Sequence, residues 1–178
     1  DGLHGPSSYA NAVSAVGIGY DAHRFKEGRK LVLGGVEIPH GRGVAGHSDA
    51  DVLSHAIADA LLGAIGERDI GHHFPNTDES IRGISSLEIL RRVGEILAAQ
   101  NYRVENLDAT LIAEAPMIGP QPEAMRGQIA ATPGLEMNYV GLQATTNEGM
   151  GPIGTAGGMW AMPGARLEET SGQPSVRQ

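Results

Sequence analysis

The chain contains no cysteine, which excludes disulfides and thiolate-held metal and fits a reducing compartment. Aromatic residues make up only 4%, so a core has to be assembled from Ala, Val, Ile and Leu. No apolar run reaches the roughly 18 residues that suggest a membrane span, so no membrane partner is expected. Positive charge is also scarce. Thirteen Lys and Arg stand against 21 Asp and Glu, for a formal charge of −8, and the basic residues are scattered, with Arg91-Arg92 the one adjacent Arg pair. A nucleic-acid groove is therefore not expected. Any phosphorylated ligand would have to be held by backbone amides, hydroxyls and metal.

Glycine, by contrast, is plentiful at 26 residues, about twice the usual fraction of roughly 7%. The length of 178 residues suits one domain with a sizeable core. Residues 1–16 are rich in Ser, Ala and Gly without the charged-then-apolar order of a signal peptide, and read as a flexible extension. Residues 17–167 read as the domain, and 168–178 as a polar, disordered tail.

Periodicity predicts an α/β mixture of the α+β type, a single domain with about three helices packed on a four- to five-stranded sheet that is expected to be mixed. Val16–Tyr20 is a first apolar run, and Leu31–Ile38 is a strand or a hairpin turning at Gly34-Gly35. Pro39–Gly46 reads as a loop. A helix is expected from Ser48 to Gly66, opened by a capping-box-like pair of Ser48 and Asp51. Asp69–Gly83 reads as a polar loop and Ser85–Gln100 as a second helix. Strands are expected at Leu107–Ala113, Tyr139–Ala144 and Met159–Met162, with a helix at Glu123–Ala131. Pro163-Gly164 should interrupt the final strand.

Three polar words stand out. If the first strand continues to His23, Asp21 and His23 lie two apart on one face, and His55 on the following helix could join them. Two histidines and one carboxylate form the catalytic zinc pattern, which leaves a coordination position open. The same spacing is also common in turns and exposed pairs. Asp51, His55 and Asp59 share a helix face, so a carboxylate one turn away could accept the second ring N–H of His55 and fix its tautomer. A solvated acidic face carrying one histidine is the alternative. Thr145-Thr146-Asn147-Glu148 precedes a Gly-rich loop whose amides and hydroxyls could hold phosphate oxygens, with Glu148 on a hard cation such as Mg²⁺. A simple polar turn would look the same, and no Walker pattern is present.

Taken together, the words resemble a known family, the 2-C-methyl-D-erythritol 2,4-cyclodiphosphate synthases of the non-mevalonate isoprenoid pathway. The resemblance runs from about Val16 to Gly154. It rests on Gly17-Ile-Gly-Tyr-Asp-Ala-His-Arg-Phe25, Leu33-Gly-Gly-Val-Glu-Ile-Pro39, Gly46-His-Ser-Asp-Ala-Asp-Val52 and His55-Ala-Ile-Ala-Asp-Ala-Leu-Leu62, followed by Asp69-Ile-Gly71, Phe74-Pro-Asn-Thr-Asp78 and Ala144-Thr-Thr-Asn-Glu148. Seven words in one order are far more specific than any of them alone.

The resemblance implies a homotrimer with active sites between subunits, located in the bacterial cytoplasm, or in a plastid if the source is a plant or alga. It implies zinc on Asp21, His23 and His55, and a second divalent ion, Mg²⁺ or Mn²⁺, placed by Glu148. By the same resemblance His47 and Thr146 stabilise the transition state, and Ser48, Asp21 and His23 stand at the substrate. Asp69, Ile70, Gly71, Phe74, Pro75, Asn76, Thr77 and Asp78 match the lobe around the methylerythritol part. Ala113, Pro116, Met117, Ile118 and Gly119 match the segment that holds cytosine, and Thr145, Thr146, Asn147 and Glu148 match the phosphate loop. The implied reaction converts a cytidine diphosphate substrate, 4-diphosphocytidyl-2-C-methyl-D-erythritol 2-phosphate, into the cyclodiphosphate with release of CMP.

The chain departs from the family pattern in places. Met117 stands where Lys is usual and Asn76 where Asp is frequent. Pro152, Thr155 and Gly157 replace the Phe, Arg and Glu that line a channel on the trimer axis. Two other readings suit the same residues, a divalent-metal phosphoester hydrolase and a non-catalytic trimeric CDP-binding protein.

Overall fold

A computed structural model describes residues 13–119 and 121–170. Most of the expected N-terminal extension and polar tail therefore lies outside the described residues. Where they enter the description, both contribute residues to strands. β1 (Ser14–Ile18) begins inside the expected extension, and β8 (Gly158–Glu169) runs into the expected tail. The two are held in register antiparallel, with Ser14 opposite Glu168.

Between them come β2 (Asp21–Glu27), the hairpin strands β3 (Leu31–Leu33) and β4 (Val36–Ile38), and β5 (Arg42–Val44). Helix α1 (Val52–Ala64), the short α2 (Ile70–His73) and α3 (Ser86–Ala99) follow. Then come β6 (Tyr102–Ile112), α4 (Pro122–Ala131), β7 (Val140–Thr145) and the single turn α5 (Gly151–Gly154). The main sheet has six strands, ordered β5-β2-β8-β6-β7 with β1 also on β8. Only β6 and β7 run parallel, so the sheet is mixed as expected, with more strands than the four or five predicted.

The extra strands have identifiable causes. The first apolar run does not continue through Asp21. It breaks at Gly19-Tyr20, and β1 and β2 pair one after the other along the same edge of β8. At the break the Gly19 N–H donates to the Pro163 carbonyl (2.9 Å). Proline has no N–H to return, so Pro163 forfeits one ladder bond where the partner strand is already interrupted. This is why Pro163-Gly164 does not end β8, which runs twelve residues instead of the short segment expected. In β6 a bulge between Val104 and Asn106 switches the inward parity from Tyr102 and Val104 to Leu107, Ala109 and Leu111, all buried. Strict alternation therefore finds the strand only from Leu107.

Gly34 and Gly35 both have positive φ (54° and 75°), the left-handed pair that a two-residue hairpin turn requires. Pro39–Gly46, expected as loop, contains β5 paired with β2. Helix α1 starts at Val52, later than predicted, because Asp51 caps it and Ser48 does not. The Asp51 Oδ1 accepts the Leu53 and Ser54 N–H groups at 3.1 and 3.0 Å. Its Oδ2 accepts the Ser54 hydroxyl (2.7 Å) and the Gly35 N–H (2.8 Å), tying the helix start to the hairpin.

Helix α1 is the buried centre of the molecule. Val52, Leu53, Ala56, Ile57, Ala60, Leu61 and Leu62 have essentially no exposed surface. A methyl group on Gly17 or Gly19 would run into the Ala60 or Ala56 carbonyl, so β1 touches the helix backbone directly. The opposite sheet face is open, with Val16, Ile18, Tyr20 and Met162 all exposed.

Removing the α1 cap tests this arrangement. Asp51→Ala leaves the Leu53, Ser54 and Gly35 N–H groups without their acceptor and is expected to lower the unfolding free energy by about 2–4 kcal/mol, measured by urea denaturation. A loss under about 0.5 kcal/mol would show the cap to be dispensable.

Candidate functional site

Strand β2 presents Asp21 and His23 on one face, and the first full turn of α1 carries His55 toward them. The His23 Nε2 lies 2.8 Å from the Asp21 Oδ2, and the His55 Nδ1 3.3 Å from the same oxygen. The two ring nitrogens are 3.3 Å apart. All three ligand atoms fall within 4.8 Å of one another. The Asp21 Oδ2 is buried yet accepts no aligned hydrogen bond. An orphaned acceptor beside two imidazole nitrogens is what a shared cation would satisfy. Burial alone would raise the Asp21 carboxyl, but the contacts with His23 and His55 reverse this and hold it well below the usual carboxylate range. For His23, burial would lower the imidazole, and the contact with Asp21 outweighs it and raises it.

The second nitrogen of His55 points inward. Its Nε2 lies 2.9 Å from the Ser86 Oγ and 3.0 Å from the Ser48 Oγ. Ser86, fully buried at the start of α3, donates its hydroxyl to the Asp49 Oδ1 and its N–H to the Asp49 Oδ2 (3.0 Å). This corrects the expectation that Asp51 or Asp59 would orient His55. Asp51 is consumed by capping and is fully buried, so the pair is not a solvated acidic face. Asp59 accepts the Ile70 N–H (2.8 Å) and anchors α2. Asp49 and Ser86 carried no role in the sequence reading, because their contact spans 37 residues.

A cleft of about 480 Å³ opens onto the cluster. It is lined by Asp21, His23, His47, Ser48, His55, Asp69, Ile70, Gly71, Phe74, Asn76 and Asp78 among others. Pro75 and Thr77 are exposed in the same segment without joining the lining. Asp69–Gly83, expected as plain loop, contains α2, capped by Asp69 onto the His72 N–H (3.0 Å), and a 3₁₀ turn at Glu79–Ile81. His47 is exposed at the rim, on a loop clamped by Arg29, which donates to the Gly46 and Ser48 carbonyls at 2.7 Å each. The Gly83 N–H also donates to the His47 carbonyl (3.0 Å). Arg29 was invisible as a site residue because it acts on backbone.

The remaining expected site residues gather elsewhere. Ala113, Pro116, Met117, Ile118 and Gly119 follow β6, and Thr145, Thr146, Asn147 and Glu148 end and follow β7. The parallel pairing of the two strands sets these segments side by side. The Ala113 N–H donates to the Thr145 carbonyl (3.0 Å), and the Glu114 Oε1 accepts the Asn147 N–H (2.8 Å). Glu148 has φ 51° and lies with the Thr146 Oγ1 3.4 Å from its Oε1. None of these residues lines the cleft over Asp21, His23 and His55. One chain thus carries two separate clusters, the metal-type cleft and the β6–β7 end.

Truncating one ligand tests the metal reading. His55→Ala keeps a good helix former inside α1 and is expected to stay folded by circular dichroism while zinc content falls from about one per chain to background. A folded variant with full zinc occupancy would refute the assignment.

The YgbB family matches residues 14–168. Over 146 residues the chain is 56% identical to the 2-C-methyl-D-erythritol 2,4-cyclodiphosphate synthase of Alkaliphilus metalliredigens, covering 82% of this chain and 92% of that one. It is likewise 56% identical to the synthase of the same name from Symbiobacterium thermophilum, covering 82% and 93%. Among solved structures, the CDP-bound form of 2C-methyl-D-erythritol-2,4-cyclodiphosphate synthase matches with a TM-score of 0.79 at 34% identity, over 85% of this chain and 99% of that one. A Plasmodium falciparum IspF CDP complex matches at 0.77 and 30%, over 89% and 97%. With the family matched across nearly all described residues, and the converging Asp21, His23 and His55 inside that match, the chain belongs to the YgbB family of 2-C-methyl-D-erythritol 2,4-cyclodiphosphate synthases.

Proposed function

We propose that the chain is a CMP-forming cyclodiphosphate synthase, acting on 4-diphosphocytidyl-2-C-methyl-D-erythritol 2-phosphate as a homotrimer. An oxygen of the 2-phosphate attacks the β-phosphorus, the bond from that phosphorus to the CMP oxygen breaks, and an eight-membered cyclodiphosphate ring closes. The attacking phosphate is already anionic, so no general base is needed. Zinc on Asp21, His23 and His55, with Mg²⁺ or Mn²⁺ placed by Glu148, would supply Lewis-acid neutralisation of phosphoryl charge.

The protein's own groups do the positioning. His47, on its clamped loop, donates to a phosphoryl oxygen at the cleft rim. Ser48 stands beside it, while Asp69–Gly71 and Phe74–Asp78 enclose the methylerythritol part. The β6–β7 end takes the nucleotide: backbone groups of residues 113–119 meet cytosine, and Thr145–Glu148 meet the diphosphate. Holding both phosphates in line can be worth several kcal/mol of the barrier.

The observation that carries the trimeric reading is the separation of the two clusters. A substrate with a methylerythritol phosphate at one end and a nucleotide at the other needs both, and a neighbouring copy brings them together. The open apolar strip of Val16, Ile18, Tyr20 and Met162 is a surface that such an assembly would cover. The CDP-bound relatives support the nucleotide assignment, and the bacterial relatives support a cytoplasmic setting.

Mass spectrometry after incubation with substrate and Mg²⁺ is expected to find CMP and the cyclic product. Inorganic phosphate or a ring-opened product would indicate a hydrolase, and CDP binding without CMP a non-catalytic binder.

Subunit mixing tests the shared site. Thr146→Ala is expected to lower kcat on the order of 10²-fold with CDP affinity little changed, and His55→Ala to be similarly impaired. Mixed trimers of the two should recover activity, since about a quarter of random interfaces pair two intact halves. No recovery in verified mixed trimers would place the whole site within one chain.

A further inference from the structure

The hydrogen bonds around His55 have only one consistent direction. The Asp49 carboxylate can only accept, and it takes both the hydroxyl and the N–H of Ser86. The Ser86 hydroxyl hydrogen is therefore committed to Asp49, and its oxygen faces the His55 Nε2 (2.9 Å) as an acceptor. The Nε2 must then carry the ring hydrogen, which leaves the Nδ1 bare toward Asp21 and His23. The Ser48 Oγ already accepts the Ala50 N–H (3.0 Å) and shares the same Nε2–H (3.0 Å). With its acceptor capacity used in this way, its own hydrogen is free to point into the cleft it lines.

We propose that Asp49 is a positioning residue which, acting through the Ser86 hydroxyl, holds His55 in the Nε2–H tautomer and leaves the Ser48 hydroxyl as a donor to substrate. This rests on the reading of Asp21, His23 and His55 as metal ligands. A ligating imidazole binds a cation only through an unprotonated nitrogen, so the tautomer sets the metal affinity. The route is indirect. Asp49 touches no ligand atom, and its side chain reaches the cluster through a serine from the start of another helix.

Asp49→Asn discriminates, because it keeps shape and removes direction. The Ser86 N–H holds the amide oxygen of the new side chain at the Oδ2 position, which sets the amide NH₂ against the Ser86 Oγ. The serine then turns its hydrogen toward His55 and favours the wrong tautomer. The longer contact from the Asp51 N–H to Oδ1 (3.3 Å) is lost as well, so the double variant is needed to separate the relay from loop damage.

Zinc affinity by chelator competition is measured for wild type, Asp49→Asn, Ser86→Ala and the double variant. Asp49→Asn is expected to weaken zinc about 10–100-fold, and the double variant to be no weaker than Ser86→Ala alone, since Asp49 acts only through that hydroxyl. Long-range ¹H–¹⁵N imidazole spectra of the zinc-free proteins should place the His55 hydrogen on Nε2 in wild type and shift it toward Nδ1 in Asp49→Asn. Wild-type zinc affinity in Asp49→Asn, losses that multiply in the double variant, or an Nδ1–H tautomer in wild type would each overturn the relay. The spectra decide it even if Ser86→Ala fails to fold. A wild-type protein that binds no zinc would instead refute the underlying metal reading.

Discussion

The site depends on how closely α1 lies against the sheet. Gly17 and Gly19 let β1 touch the helix backbone at Ala60 and Ala56, and the buried Ala161 and Ala165 of β8 keep the strand beside them thin. This close approach brings the His55 Nδ1 within 3.3 Å of both partners. The small residues that limit core volume are thus the same ones that assemble the cluster.

Around this contact, polar groups hold loops more than they hold ligands. Asp51 ties α1 to the β3–β4 hairpin, Asp59 ties it to α2, and Asp49 ties the His47–Asp51 loop to α3. Each carboxylate accepts backbone N–H groups whose alternative would be an unsatisfied buried donor, costing about 1–3 kcal/mol. The cleft walls are therefore fixed before substrate arrives, and the placement of His47 follows from the backbone through Arg29. Glu114 does the same at the other cluster by accepting the Asn147 N–H. A rigid scaffold with short clamped loops suits a reaction whose demand is alignment of two phosphates.

Local pattern was a good guide wherever one contact dominated. The three long helices and the Gly34-Gly35 hairpin were legible from apolar spacing and turn chemistry. β6 was legible only past its bulge, where alternation resumed, and β8 only up to Pro163, because a proline reads as a stop unless its missing N–H is known to face a break in the partner strand. β5 was lost inside a glycine-rich stretch, since three residues carry too little pattern. In the site, the convergence of Asp21, His23 and His55 was legible from residue type and strand parity. The role given to Asp51 was not, because helix spacing says which side chains share a face and nothing about which backbone donors reach them first.

By itself, the sequence determined the residue chemistry: carboxylate and imidazole at Asp21, His23 and His55, hydroxyls and glycines after the strand that ends at Thr145, and an apolar helix between them. It also carried the family, since seven short words in order leave few other assignments. Tertiary structure decided what those residues touch. It brought Ser86 behind His55 across 31 residues of chain and against Asp49 across 37, and it set the β6–β7 end apart from the metal-type cleft. Contacts at such separations are specified by packing of whole elements, and no local spacing encodes them.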